Sequence, residues 1–154
     1  MLVLGIDPGP TKAGWALIDA EGTTARYMQG GWECCDEENI VRWICGFDRG
    51  DLIAIEIPGL VVRDAAKHSL VETARWAGFA QGFTYLRSTS IVLTAQQWRK
   101  ELTGKPNASD ALIHEALRPR ITDLPKRCSV HIRDAVGVAL VGHWQYVTGA
   151  RRSA

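Results

Sequence analysis

The first half of the chain is dominated by short apolar runs of strand length. Three of them, at residues 2–6, 13–19 and 24–32, are separated by turn-forming segments that contain Gly or Pro. Because the connections between these runs are short, we expect them to form an antiparallel three-stranded meander. A fourth run at residues 52–57 is apolar apart from Glu56, which predicts a strand buried on both faces of a sheet.

Helical spacing of apolar positions occurs between and after these strands. It predicts five helices, at residues 36–47, 65–88, 95–102, 110–117 and 132–147. Residues 91–93 predict a fifth short strand, and residues 119–129, which contain Pro and Arg, are expected to be a loop. The order of the elements predicts an α/β fold in which helices flank a mixed sheet. We expect one domain over residues 1–150 and a short tail at residues 151–154.

Composition places the chain among ordinary globular proteins. Hydrophobic residues make up 46% of the 154 residues and charged residues 23%, which excludes a disordered chain and a coiled coil. No apolar stretch approaches the length of a membrane span, and the N-terminus lacks the basic flank of a signal peptide. We therefore expect a soluble cytoplasmic protein that does not associate with membranes. The four cysteines include no C-x-x-C pair, so neither a structural zinc site nor disulfides are expected.

Charge is divided unevenly between the two parts of the chain. Residues 1–62 carry ten acidic and four basic side chains, a net charge of −6, whereas residues 63–154 carry seven acidic and fourteen basic ones, a net charge of +7. The total of +1 conceals this asymmetry. A basic half of this size suits a polyanionic partner, although the same residues are also consistent with an ordinary solvated surface.

Three acidic residues occupy positions that core packing alone does not explain. Asp7 ends the first apolar strand, Glu56 interrupts the buried strand, and Asp134 lies in the first turn of the last helix, three residues after His131. Residues three apart share a helix face. A buried carboxylate is costly unless it is paired or binds a metal, and oxygen ligands favour hard cations such as Mg²⁺ or Mn²⁺. Each acid also has a purely structural alternative. Asp7 could accept hydrogen bonds from turn amides, Glu56 could pair with an arginine, and Asp134 could stabilise the helix N-terminus.

Five segments of the chain match motifs of one known family. They are residues 5–18, 53–56, 74–78, 94–100 and 131–140. The first begins Gly-Ile-Asp-Pro-Gly, and the last begins His-Ile-Arg-Asp, the variant of its motif in which His precedes Asp. Together they resemble the RuvC family of Holliday-junction resolvases, within the RNase H-like superfamily, in a divergent form that is similar to phage-type members. The similarity spans nearly the whole chain.

The resemblance implies an RNase H-like mixed five-stranded sheet, with three antiparallel strands followed by two parallel ones. It implies a homodimeric, metal-dependent endonuclease that cuts four-way DNA junctions by paired phosphodiester hydrolysis. Asp7, Glu56, His131 and Asp134 would be the ligands of two Mg²⁺ or Mn²⁺ ions, and no small-molecule cofactor is expected. The ions would activate water and stabilise the leaving 3′ oxygen.

Two departures from the family pattern bear on this prediction. The family lysine near the phosphate is replaced by Asp110, and Lys105 is the nearest substitute in sequence. Arg99 stands where the family has its other lysine, with a different donor geometry. We count Arg99 and Lys105 among the candidate catalytic residues. Residues 58–63 contain no aromatic side chain to wedge between base pairs, so we expect weak sequence preference.

Basic residues after the second acid are the candidate DNA-contacting set, because phosphate contacts position nucleic acid without reading its sequence. They are Arg63, Lys67, Arg75, Arg99, Lys100, Lys105, Lys126, Arg127 and Arg133. Trp76, Phe79 and Phe83 form a stripe at helical spacing, for which packing in the core or against a second subunit is expected rather than base stacking.

Other functions are compatible with parts of this pattern. Another RNase H-like nuclease acting on branched DNA or RNA would share the acids, and a catalytically weak junction-binding protein would fit the replacement at Asp110. The sugar kinase and actin group also opens with a strand, Asp and Gly. It requires a second nucleotide-binding half, for which 154 residues leave no room.

Overall fold

A mixed six-stranded sheet forms the centre of the computed structural model, which describes residues 1–46, 52–58, 67–85 and 89–152. The strands are β1 (Leu2–Pro8), β2 (Lys12–Glu21), β3 (Thr24–Cys34), β4 (Leu52–Ile57), β5 (Ser90–Thr94) and β6 (Ile121–Thr122). Their order across the sheet is β5-β4-β1-β2-β3-β6. The hairpins β1–β2 and β2–β3 are antiparallel, whereas β4 pairs with β1, and β5 with β4, in parallel.

Within the described residues, five helices accompany the sheet. They are α1 (Glu37–Gly46), α2 (Lys67–Tyr85), α3 (Ala95–Thr103), α4 (Asp110–Leu117) and α5 (Val130–Arg152). Local sequence explains where α3 begins and ends, because Thr94 and Gln97 form a capping box and Gly104 adopts a left-handed conformation with φ of 79°. Ser109 caps α4, as its position in the sequence predicts. Each helix in the described ranges is too short or too polar to span a lipid bilayer.

The predicted fold class is confirmed, with one difference in the sheet. The meander and two following parallel strands form as expected, but residues 121 and 122 add a sixth strand within the predicted loop. This strand pairs in parallel with β3 at Ala25 and Arg26. Two residues are too few to produce a recognisable periodicity, and the burial of Ile121 is what holds the segment on the sheet.

Two hydrophobic layers form on opposite faces of the sheet. Helix α5 covers one face, where its small residues allow a close approach to β1 and β2. Helices α1 and α2 cover the other face, and Trp76, Phe79 and Phe83 pack against that core, half-buried. The expectation that this aromatic stripe is a packing surface is therefore confirmed with respect to the core.

Candidate active site

Two of the predicted acids lie side by side at the carboxyl edge of the parallel strands. Strand β1 pairs with β4 up to Ile6 and Ile55, so the next residues, Asp7 and Glu56, are neighbours on adjacent strands. Successive side chains of a strand point to opposite faces of the sheet. Because Ile6 and Ile55 face α1 and α2, the residues that follow them, Asp7 and Glu56, face α5. The carboxyl ends of parallel strands are the usual place for ligands in such sheets.

Helix α5 brings the other two predicted residues to the same edge. Ser129 caps the helix by accepting a hydrogen bond from the Ile132 amide at 3.2 Å, which places His131 in the first turn. Because the helix begins at Val130 rather than at residue 132, Asp134 follows the first turn instead of lying within it as the sequence predicted. The helix can approach because Gly14 has no side chain: a Cβ there would overlap the carbonyl oxygen of His131. A Cβ at Gly5 would overlap the backbone of Ala135 in the same way.

Each carboxylate of the site has one oxygen engaged by a neighbouring side chain. The indole Nε1 of Trp98 donates to Glu56 Oε2 at 2.7 Å, and Arg99 Nη2 donates to Asp134 Oδ2 at 3.1 Å. Asp7 Oδ2 lies 3.5 Å from His131 Nδ1. These contacts orient the acids and leave the second oxygen of each one to other partners.

Burial and mutual repulsion raise the pKa of two of these carboxyls. Burial is the main reason that the pKa of Glu56 rises from 4.5 to about 8; the charge of Asp7 raises it further, and the Trp98 hydrogen bond opposes the rise. Burial also raises the pKa of Asp134 from 3.8 to about 6, with Asp7 adding to the rise and Arg99 opposing it. Full ionisation of the cluster near neutral pH therefore calls for additional positive charge.

The position of His131 favours its protonated form. Its contact with Asp7 is the largest effect and raises the pKa of the imidazole above 6.5, while burial opposes this rise. The side chain is 41% exposed, so it is accessible to solvent and to a substrate. A histidine in this position can move a proton near neutral pH or bind a metal through a neutral ring nitrogen.

The donor set suits hard divalent cations in its chemistry, although it is not a closed cage. In the described parts of the chain, no group of three or more His, Cys, Asp or Glu side chains is arranged to hold a metal ion. Asp134 Oδ1 is nevertheless buried and accepts no hydrogen bond from any described residue. A buried carboxylate oxygen that accepts no hydrogen bond, beside two further carboxylates, fits Mg²⁺ or Mn²⁺, because these ions bind oxygen and offset the repulsion between the acids.

The structure brings Arg99 into contact with Asp134, whereas Lys105 lies in the exposed loop after α3. The Arg99 side chain is 28% exposed and contacts Asp134 directly. Lys105 is exposed in the loop after α3, where its backbone amide and carbonyl bond the hydroxyl of Thr103. No described contact joins its ammonium group to the carboxylates, so the catalytic role predicted for Lys105 remains a prediction.

Asp110, which replaces the family lysine, takes part in an ion pair. Its Oδ1 lies 3.3 Å from Arg133 Nη2, and Arg133 Nε lies 3.8 Å from Asp134 Oδ1. The Arg133 side chain is only 11% exposed. Arg133 is therefore held between two carboxylates beside the site, rather than presented to solvent as a phosphate contact would require in the free protein.

The other predicted DNA-contacting residues are distributed over the surface. Exposed side chains among them are those of Arg75, Lys100, Lys105, Lys126 and Arg127. Arg75 on α2 also lies near Glu72 and over the Trp76 ring. Arg63 lies outside the described residues, and so does the side chain of Lys67.

Three residues of the site region escaped the sequence-based prediction. Trp98 donates a hydrogen bond that orients Glu56. Its position on the apolar face of α3 predicts that the ring is buried, and a buried indole N–H usually has a hydrogen-bond partner. Lys12 and Trp32 lie on the far side of His131, where the Lys12 ammonium is 3.9 Å from the centre of the Trp32 ring. Only the register of β2 against β3 reveals that this pair adjoins the acids.

A cavity on the opposite face of the sheet is separate from this site. It has a volume of about 210 Å³ and is lined by residues of β1, β2, β3 and α1, including the stacked Trp15 and Trp43. Arg42 and Glu33 form an ion pair at its edge. Because its lining side chains point away from α5, this cavity does not communicate with the acids.

Comparison with known proteins places the chain near one group of nucleases. No protein-family model matches it. In sequence it is similar to the crossover junction endodeoxyribonuclease RuvC of Citrifermentans bemidjiense, with 24% identity over 151 residues, 91% of this chain and 90% of the relative.

Solved structures give the same result for the fold. RuvC of Thermus thermophilus in complex with a Holliday junction substrate has a TM-score of 0.75 at 18% identity, covering 97% of this chain and 96% of that chain. The yeast mitochondrial Holliday junction resolvase has a TM-score of 0.60 at 11% identity, covering 99% and 84% of the two chains. The chain is similar to the Citrifermentans protein in sequence and to the solved structures in fold, and the resemblance inferred from the motifs is confirmed.

Proposed function

We propose that this chain is a metal-dependent, structure-selective endonuclease that cuts four-way DNA junctions. The observation that carries the proposal is the convergence of Asp7, Glu56 and Asp134, from three separate elements, at the carboxyl edge of a sheet with the RuvC fold. The relatives named above act on crossover or Holliday junctions. The shared fold, together with the placement of the acids in this chain, supports the same reaction here.

Asp7, Glu56, Asp134 and His131 are the residues that would hold two Mg²⁺ or Mn²⁺ ions. Bound there, the ions supply charge that activates water and stabilises the leaving oxygen of a phosphodiester. The chain's own part is to orient the ligands, through Trp98 on Glu56 and Arg99 on Asp134. His131 is placed to hold or release a proton beside Asp7.

Phosphate binding is assigned to Arg99 and to the exposed basic residues of the second half of the chain. Arg99 is the nearest, and the exposed lysines and arginines of the second half extend the positive surface. Their contacts would be insensitive to sequence, so affinity for DNA should fall steeply with added salt. The lack of an aromatic residue in 58–63 supports activity on several branched DNA structures.

The assembly and cellular setting belong to the same proposal. Two symmetric cuts across a junction require two sites, so we propose a homodimer with one active site in each subunit. Residues 1–150 are proposed to act as a single domain in the cytoplasm, in DNA recombination and repair.

Cleavage of an end-labelled synthetic four-way junction tests the proposal directly. The reactions contain Mg²⁺, Mn²⁺ or EDTA, beside duplex, flap and RNA–DNA hybrid controls. We expect paired, symmetric nicks in the junction that require the metal. The matched control is Asp19→Asn, which removes a carboxylate at the opposite end of the same hairpin and should leave cleavage unchanged.

Each other outcome has a definite meaning. Preferential cutting of the hybrid or of RNA would assign the chain to another branch of the RNase H-like nucleases. Junction binding without cutting under any metal would favour a binding protein, for which the ion pair that Asp110 forms with Arg133 would be the structural reason. Neither binding nor cutting would refute the proposal.

A further inference from the structure

Trp32 lies in the same transverse row of the sheet as the catalytic-site acids. The register pairs Asp7 with Gly14 and Gly14 with Trp32, so the side chains of Asp7 and Trp32 project from the same face. Two strand spacings separate them, a distance of about 10 Å between backbones. Gly14 contributes no side chain between them, and His131 fills the space above it.

The Trp32 ring is unusually exposed for its residue type. All six tryptophans are among the described residues, and Trp32 is the one that is exposed, at 45%. The Lys12 ammonium lies 3.9 Å from its ring centre, and the His131 ring is tilted by 32° at 6.4 Å. An exposed indole beside the candidate active site, covered by a lysine ammonium rather than by packed apolar side chains, is suited to a planar ligand.

We propose that Trp32 and Lys12 form a nucleotide-binding subsite beside the acids. In this subsite a base of the DNA strand stacks on the indole, and the Lys12 ammonium moves from the ring to a backbone phosphate of the same strand. The inference rests on the proposed nuclease function and extends it to the substrate nucleotide next to the cut. Its position gives an aromatic contact that residues 58–63 lack.

Physical chemistry favours a base and a phosphate together as the occupant. Every base presents a π-face, so stacking on an indole tolerates any sequence, and a nearby cation neutralises the adjoining phosphate. In the free protein the ammonium group occupies the ring face through a cation–π contact. Exchange of that contact for a stacked base and a charge-assisted phosphate contact leaves both protein groups with a partner.

Fluorescence of 2-aminopurine tests the stacking independently of cleavage. The base analogue is placed at successive positions around the mapped cut in a four-way junction, with Ca²⁺ in place of Mg²⁺. We expect quenching at one position with the wild-type protein and its loss with Trp32→Ala, together with an affinity lower by about tenfold. Trp32→Phe, which keeps a ring, should retain most of both signals.

Salt dependence tests the part assigned to Lys12. Lys12→Ala should reduce the slope of log affinity against log salt by about one, because one phosphate contact is lost. The matched controls are Met28→Ala and Arg26→Ala. Met28 is an apolar residue on β3 that is as exposed as Trp32, at 45%, and Arg26 is a charged residue near the opposite end of β3. Neither control should alter the quenching, and Arg26→Ala should leave the slope unchanged.

The outcomes separate this inference from the function on which it rests. If the wild-type protein cuts junctions while Trp32→Ala keeps both affinity and quenching, the subsite is refuted and the nuclease stands. If Trp32→Ala lowers cleavage alone, Trp32 only positions His131 and the subsite is again refuted. If the wild-type protein neither binds nor cuts a junction, both proposals fail together.

Discussion

The two ends of the hairpin formed by β1 and β2 differ in how their acidic residues are neutralised. At the end where β1 begins, Asp19 lies between two cations, the Met1 amino group at 3.2 Å and the Arg26 guanidinium at 3.8 Å. The Asp19 side chain is 44% exposed, so water screens what its partners leave unneutralised. At the end where β1 finishes, Asp7 adjoins two further carboxyls whose pKa is raised mainly by burial.

This contrast separates an end whose charges are neutralised within the chain from the end that is proposed to carry the chemistry. The exposed end satisfies its acid with the chain's own cations. The buried end holds acids together through backbone packing, since α5 rests on the glycines of β1 and β2. Electrostatic strain of this kind is typical of functional sites, and ligands that bind only the folded state can relieve it.

The largest difference between the two ends should appear in catalysis. Asp7→Asn removes a proposed metal ligand, whereas Asp19→Asn removes an equivalent charge from the exposed end. We expect Asp7→Asn to lower the junction cleavage rate by roughly three powers of ten, since bound metal ions contribute several kcal/mol to such reactions. Single-turnover cleavage with saturating Mg²⁺ measures this. Equal activity of the two variants would remove Asp7 from the site.

The next largest effect concerns the stability of the metal-free protein against pH. The folded pKa values of Glu56 and Asp134 are raised to about 8 and about 6, so the folded state binds more protons than the unfolded chain. Stability from these groups is therefore greatest below about pH 4 and is lost as the pH rises towards 8, by on the order of a few kcal/mol. Thermal unfolding in EDTA across this range measures the loss.

Two comparisons sharpen the pH prediction. Glu56→Gln should flatten the profile and raise the Tm near pH 8, because it removes a buried charge and keeps an acceptor for Trp98. Asp19→Asn should leave the dependence of the Tm on pH unchanged. Added Mg²⁺ should raise the Tm more at pH 8 than at pH 5, since the metal competes with protons. An equal increase at both values would contradict a carboxylate site.

A smaller effect is expected from the arginine beside the acids. Arg99 contacts Asp134 and lowers the pKa of both Asp134 and Glu56. Arg99→Ala should reduce cleavage by about 10- to 100-fold, as is usual for groups that orient metal ligands, and move the acid limb of the pH–rate profile to higher pH. Arg26→Ala is the matched loss of charge at the exposed end. A lower rate without a shift of that limb would assign Arg99 to substrate binding alone.

The smallest effect should come from the ion pairs of the exposed end. Asp19→Asn should lower the free energy of unfolding by less than about 1 kcal/mol, because surface pairs gain little in water. Urea denaturation at low and high salt measures this difference, which should shrink as salt is added. A larger, salt-independent loss would show that Asp19 has a structural role beyond its charge.

Most of the fold could be predicted from the sequence because the elements have strong periodic signals. The continuous apolar run of residues 52–57 marks β4, and the capping residues Thr94 and Ser109 mark the beginnings of α3 and α4. The short strand β6 could not be found, since its two residues pair through their backbone and carry no pattern. The end of α5, at Arg152 rather than 147, likewise lies where polar residues continue a helix without an apolar stripe.

The candidate site also contains residues that the sequence could predict and residues that it could not. The positions of Asp7, Glu56 and Asp134 stand out in sequence because each interrupts or adjoins an apolar segment. Their partners do not, because Trp98, Trp32 and Lys12 reach the site through tertiary packing and strand register. The ion pair of Arg133 with Asp110 also depends on how α4 meets α5, which no local pattern encodes.

The close seat of α5 over Gly14 and Gly5 bears on how an enzyme of this kind could lose its activity during evolution. A single methyl group at either glycine would displace the helix that carries His131 and Asp134. Every acid would then still be present in the sequence, yet the acids would no longer lie close enough to share the proposed metal ions. A descendant of this chain could thus become a pure binding protein without altering one acidic residue, and counting its acids would misclassify it as a nuclease.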